Sequence, residues 1–372
     1  MEVRRFILIT VISKSNSIFK KETFIMKNRI VLLVLIIISI SFNMALATDV
    51  SSMDFPDASQ DPKVTLTWGN TAAAEDLSTK GMEKVAELVE ERSGGSLKIN
   101  TFPASQLGTA VTQMEMIIDG SIDMFTEGSN YMADFGAPDR NIFSIYFQVP
   151  SQEHAVKFLN SNLYKSWEDQ FLANTGLRTL ASNWMRPPVV IASNVSLKTF
   201  EDFQGLKLRA LPSKFTLAAL ASFGTNPTAV AYDEVYLALQ QGIIDATIAT
   251  LDAVYKMNFY QVSKYLLMNE LSYVNFAVWI NENKFQSLTK AQQEILSETC
   301  KEVGTWYANT VKEELDSYVK AMVEHGIQLI DIAEEDLPKF RAATTNLIKQ
   351  YEEDGTFTKG LYDKYLNELG LQ

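Results

Sequence analysis

The sequence predicts an α/β protein of two lobes, each built on a parallel sheet, followed by a helical last third. Three observations carry this. Period-two apolar runs of strand length alternate with period-3.6 runs of helix length between Lys63 and Gly128. The same alternation restarts near residue 177. A helical stripe then runs from Thr289 to Gly326. Strand–helix alternation at this spacing makes right-handed βαβ units, whose strands pair in parallel.

The elements follow in order. "KVTLTW" (63–68) alternates as a strand. "LSTKGMEKVAELVEERSGG" is a helix with Met82, Val85, Ala86 and Val89 on one face, and Gly94-Gly95 ends it. "SLKINTFP" is the second strand, "TAVTQMEMIIDG" a helix stopped by Gly120, and "SIDMFTEG" a third strand. In the second unit "GLRTLAS", "PPVVIAS", "GLKLRA" and "IIDATIAT" read as strands. "SKFTLAALASFG" and "DEVYLALQQG" read as helices, and the seam falls near residues 180–187. Thr289 with Gln292 forms a capping box that opens the long helix. Its stripe is Ala291, Ile295, Thr299, Val303, Trp306, Val311, Leu315, Tyr318 and Met322. At 1.5 Å per residue such a helix is about 55 Å long, so it either breaks near Gly304 or spans both lobes as a spine, the expectation preferred here.

"MKNRIVLLVLIIISISFNMALA" from Met26 has a basic start, an apolar run and an Ala45-Leu46-Ala47 cleavage site, the layout of an export signal. Cleavage leaves Thr48 first, residues 1–25 read as an upstream extension, and polar 48–62 reads as a flexible lead-in. The 372 residues carry a formal net charge of −12, and beyond the leader 26 basic face 43 acidic residues. That balance excludes nucleic acid or an anionic membrane surface as main partner, though not a small anion in a locally positive pocket. One cysteine, Cys300, permits no intramolecular disulfide, and it reads as a buried apolar residue. His154 and His325 have no metal-ligand spacing, and the nucleophile-elbow, phosphate-loop and dinucleotide motifs are missing. No cofactor and no enzymatic activity are expected.

One charge is oddly placed. In "GLKLRALPS" a guanidinium, Arg209, ends a short apolar strand. It cannot give up its charge, so burial needs a partner, either a neighbouring acid or a ligand. Open α/β sheets hold ligands outside the carboxyl ends of their strands, where both Arg209 and Glu127 of "DMFTEG" fall.

The run from Gly205 to Ala246 resembles the solute-binding proteins of tripartite ATP-independent periplasmic (TRAP) transporters. It carries G-L-K-x-R at Gly205–Arg209, the block Gly224–Tyr236, and A-L-Q-x-G-x-x-D-A at Ala238–Ala246. "FYQVSKYL" and the upstream "FPASQLG" fit the same family, so the resemblance covers Lys63 to the C-terminus. It implies a type II periplasmic binding fold whose lobes close over a small organic acid. The loaded protein, a soluble periplasmic monomer, then delivers that acid to small and large TRAP membrane subunits. Lobe I is expected at 48–183, completed by about 275–305, and lobe II at 184–274, completed by about 306–372. The resemblance gives Arg209 the ligand carboxylate and Glu127 ligand hydroxyl or amino groups. Asn70 and Thr71 follow the first strand as polar contacts, Tyr232 is a lining aromatic, and Asn275 reaches in from a crossing strand. Arg186 lies two residues early for the family's second arginine, beside Trp184, which either stacks on the ligand or plugs the core. The family's frequent asparagine is Ala249 here, which tilts the expected ligand toward a simpler or more apolar carboxylate. A receptor for an ABC transporter or sensor kinase, and an exported hydrolase or lyase using Glu127 as base, are the alternatives.

Overall fold

The computed structural model describes residues 54–210 and 214–371. The leader, the Thr48 terminus and residues 48–53 lie outside the described residues. In chain order the elements are β1 (Val64–Asn70), α1 (Leu77–Arg92), β2 (Leu97–Phe102), α2 (Ala110–Asp119), β3 (Met124–Gly128), α3 (Tyr131–Phe135), α4 (Gln152–Leu159), α5 (Asn162–Thr175) and β4 (Leu177–Met185). Then come β5 (Val189–Ser193), β6 (Lys207–Ala210), α6 (Lys214–Ala221), β7 (Asn226–Ala229), α7 (Val235–Gln240), β8 (Ala246–Thr250) and α8 (Leu251–Lys256). The chain closes with β9 (Tyr265–Ser272), β10 (Asn275–Asn281), α9 (Glu282–Ser287), α10 (Lys290–His325), β11 (Gln328–Ile330), α11 (Leu337–Glu353) and α12 (Leu361–Leu369).

Two sheets form, in the orders β2-β1-β3-β10-β4 and β11-β9-β5-β8-β6-β7. The expected parallel cores are present: β1 pairs in parallel with β2 and β3, and β6 with β7 and β8. Both sheets are nevertheless mixed, a correction to the all-parallel expectation. The chain crosses between the sheets at 186–188 and again at 273–274, so the strands flanking each crossing run antiparallel to their neighbours, save that β9 stays parallel to β11. β10 is antiparallel to β3 and β4, and β5 to β8 and β9.

The helices form where periodicity and caps agree. Asp76 caps α1, its carboxylate accepting from the Ser78 amide at 2.8 Å. Met82, Val85 and Val89 are fully buried on the sheet-facing side, each worth about 1.5–3 kcal/mol relative to exposure. Gly120 ends α2 at φ 82°, where a side chain would be strained. Residues 54–62 are not loose as a lead-in would be. Ala58 is buried, Phe55 lies under the Arg92 guanidinium, and the Thr289 hydroxyl donates to the Asp61 carboxylate.

α10 is one unbroken 36-residue helix, with both halves of the Thr289–Gln292 capping box made. It does not break at Gly304. A Cβ there would lie 2.3 Å from Asn183 Oδ1 and 2.5 Å from Trp184 Cδ1, so the glycine lets α10 come down onto β4. The C-terminal segment, expected with lobe II, packs on both lobes. α11 starts in the second lobe, with Phe340 among Phe200, Phe203 and Phe223. α12 packs on the first lobe, with Tyr365 edge-on to Phe158. The apolar faces of α4 and α5 need that cover.

Candidate functional site

A cleft of about 670 Å³ lies between the carboxyl ends of β3 and β6. The first lobe lines it with Thr71, Asp76 and Glu127, the second with Arg209, Tyr232 and Ala249. The crossing segments add Arg186 and Asn275, and α10 adds Tyr307 and Glu314. Its size is that of small-molecule sites.

Arg209 is 2% exposed. Its Nε donates to the Val230 carbonyl at 3.0 Å, and its guanidinium carbon lies 5.7 Å from the centre of the Tyr232 ring. That single backbone bond leaves the terminal nitrogens with no hydrogen-bond partner among the described residues. Burial lowers its pKa, with Tyr232 and Tyr146 pulling it back, and it remains charged. Among the described residues no acid pairs with it. Arg186 lies over the Phe276 ring at 4.8 Å and makes no side-chain hydrogen bond among the described residues. Burial disfavours its charge, but Asp252, Tyr307, Glu127 and Asp76 outweigh that and hold its pKa up.

Glu127 and Thr71 meet directly. The Thr71 hydroxyl donates to Glu127 Oε2 at 2.5 Å, and the Gly128 amide donates to Oε1 at 2.9 Å, which fixes the carboxylate at the end of β3. Tyr232 is 41% exposed and faces the cleft, braced edge-on by Phe259 at 6.0 Å. Asn275 is on the lining but fully engaged. Its Nδ2 donates to the Ser182 carbonyl at 2.8 Å, and its Oδ1 accepts from Ser129 Oγ at 2.6 Å and from Arg140 at 3.4 Å.

Two expected contacts lie off the lining. Asn70 is buried and off the lining, because its Oδ1 accepts from the Ala72 amide at 2.6 Å and shapes the turn after β1. Trp184 is core. It is fully buried, stacks on Tyr307 at 5.5 Å, and donates from Nε1 to the Cys300 carbonyl at 3.0 Å. Packing against α10 takes the ring away from any ligand.

Sequence reading missed Arg140, a 2% exposed guanidinium on the lining. It donates to Ser144 Oγ at 2.8 Å and to Ser129 Oγ and Asn275, with no carboxylate in contact. Its signal in the sequence is an arginine opening the largely apolar "RNIFSIYF". Asp76, Asp252, Tyr307 and Glu314 were missed because a helix face and a cap say nothing about which lobe they oppose. Cys300 is buried and its thiol is pushed up by desolvation, as a core residue. No cluster of potential metal ligands, and no helix long and apolar enough to cross a membrane, is present among the described residues.

Comparison with known proteins places these features. The family model for bacterial extracellular solute-binding proteins, family 7, matches residues 68–354. The 2,3-diketo-L-gulonate-binding periplasmic protein of Escherichia coli (strain K12) is 31% identical over 267 residues, covering 71% of this chain and 80% of that protein. The sialic acid-binding periplasmic protein of Vibrio cholerae is 27% identical over 300 residues, covering 79% and 90%. Among solved structures, a TRAP periplasmic solute binding protein from Ochrobactrum anthropi has the same fold at a TM-score of 0.78 and 23% identity, covering 83% of this chain and 95% of its own.

Proposed function

The chain belongs to the bacterial extracellular solute-binding proteins of family 7, and from that premise we propose that it captures a small organic carboxylate in the interlobe cleft and hands it to the membrane subunits of a TRAP transporter. The family consists of substrate-binding proteins, which supports carriage rather than turnover. Relatives named for diketogulonate, sialic acid and C4-dicarboxylates support an organic acid as cargo. With the leader expected at residues 26–47, they also support a periplasmic location. The closing lobes are taken as 54–183 completed by about 275–305, and 184–274 completed by about 306–372, of which α12 also packs on the first lobe.

The observation that carries the reading is Arg209, buried at a strand end with its terminal nitrogens unengaged and Arg186 in the same cleft. A planar fork holds a carboxylate through two parallel N–H···O bonds, which a lysine cannot match. Glu127 and Thr71 face it from the other lobe, so one ligand touching both draws the lobes together. Arg209→Ala is expected to keep its circular dichroism and lose about 2–5 kcal/mol of affinity, the scale for truncating one side of a buried charge pair. Titration calorimetry with a carboxylate that stabilises the parent protein checks this, and unchanged affinity refutes the assignment.

A further inference from the structure

The charges facing the cleft are too numerous and too evenly mixed for a plain anion. Four basic side chains line it among the described residues: Arg140, Arg186, Arg209 and Lys256. Five acidic ones join them: Asp76, Glu127, Asp134, Asp252 and Glu314. Counted over the described residues with every group charged, the lining is one charge negative before any ligand enters.

These charges do not cancel by contact. Among the described residues the only ion pair between lining residues joins Lys256 to Asp252 at 3.4 Å. The three arginines are in none. Asp76 accepts from Ser78, Glu127 from Thr71 and Gly128, and Glu314 from the Tyr318 hydroxyl at 2.6 Å. All of these donors are neutral, so none of them supplies a counter-charge. The carboxylates of Asp252, Glu127 and Asp76 come from three different elements and all act on Arg186, yet none hydrogen-bonds it.

We propose that the ligand is a zwitterion, an amino acid whose carboxylate meets Arg209 and Arg186 and whose ammonium enters the gap between Arg186 and the carboxylates of Glu127, Asp76 and Asp252. This rests on the carboxylate reading above. Closure removes water from the cleft, and a charge shut in without a counter-charge costs several kcal/mol. A plain carboxylate pairs the arginines but raises the surplus from one negative charge to two. A dicarboxylate raises it to three. A zwitterion pairs both signs and leaves the surplus where it was. Hydroxyls of a sugar acid donate to carboxylates but offset no charge, and Ala249 on the lining offers them no polar side chain. The rings of Phe276 and Tyr232 supply apolar surface for the amino acid side chain.

The test is a thermal-shift panel on the exported protein. It comprises the common amino acids, their 2-hydroxy analogues, plain mono- and dicarboxylates, and sugar acids. Calorimetry follows on the best amino acid and its 2-hydroxy partner. An amino acid is expected to bind at least tenfold more tightly than its 2-hydroxy analogue, and Glu127→Gln or Asp252→Asn is expected to shrink that ratio at least threefold. Stabilisation by amine-free acids alone, or a ratio that neither variant changes, overturns the zwitterion and leaves the carboxylate reading standing. A panel in which nothing shifts the melting temperature overturns both.

Discussion

Trp184 and Arg186 sit two positions apart beside α10 and end up in opposite environments. The strand holds Trp184 against Tyr307, while Arg186 lies past the strand end, where the chain is already crossing to the other lobe. Trp184→Phe is expected to cost about 1–3 kcal/mol, from the lost bond to the Cys300 carbonyl and a small cavity. The urea midpoint reads that loss, while ligand affinity stays within threefold. A tenfold drop in affinity would return Trp184 to the site. Charge pairing away from the cleft has its own signature. Arg178 grips Glu282 through two bonds of 2.6 and 2.7 Å. The Arg178 hydrogen bond holds the Glu282 carboxyl below its usual range against the opposing pull of burial. A carboxyl whose folded pKa is lowered stabilises fully above its unfolded value of about 4.3 and loses that contribution as pH falls through the folded one. Glu282→Gln is expected to cost about 1 kcal/mol near pH 7, reduced from the buried-pair scale because both side chains are partly exposed. Denaturation of parent and variant should converge as pH drops below about 4; a gap that stays constant down to pH 3 would remove the ion pair as its cause.

Among the elements, those set by local chemistry were legible. The capping box of α10, the glycine stop of α2 and the alternation of β1, β2 and β6 all follow from side chains near in sequence. β7 was not legible, because "NPTA" is short and contains a proline, which an edge strand tolerates and a pattern search rejects. The all-parallel expectation failed for a related reason: strand direction in β4, β5, β9 and β10 is dictated by where the chain crosses, which no period records. Gly304 shows how a close approach overrides propensity. Alanine is the better helix former by about 1 kcal/mol, yet its Cβ would enter the space of Trp184 and of Asn183, whose Nδ2 already donates to the Lys301 carbonyl at 2.8 Å. Gly304→Ala is therefore expected to destabilise by about 1–3 kcal/mol net. A rise in the urea midpoint would show that β4 gives way cheaply.

For the molecule as a whole, the site was half legible. Arg209, Arg186, Glu127, Thr71 and Tyr232 converge on one cleft. Asn70 and Trp184 do not: the turn after β1 holds Asn70 by its Oδ1, and α10 takes the Trp184 ring. Arg140 and the acidic residues of α8, α10 and the α1 cap became visible only once two lobes faced each other. The C-terminal segment adds something no strand pattern suggested. Asp336, at the start of α11, accepts from the Phe200 amide at 2.9 Å in the second lobe, while Asp139 in the first accepts from the Thr358 amide at 2.9 Å just before α12. With α10 alongside, two separate stretches of chain tether the lobes on top of the two strand crossings. The range through which the jaws swing is thus a property of the tail as much as of the pivot. Loosening the grip of α11, which runs from Phe340 in the second lobe's core to Ile348 in the first's, would act like slack in a strap: a wider gape, faster entry of cargo, and a weaker hold on it without any change among the residues that touch it.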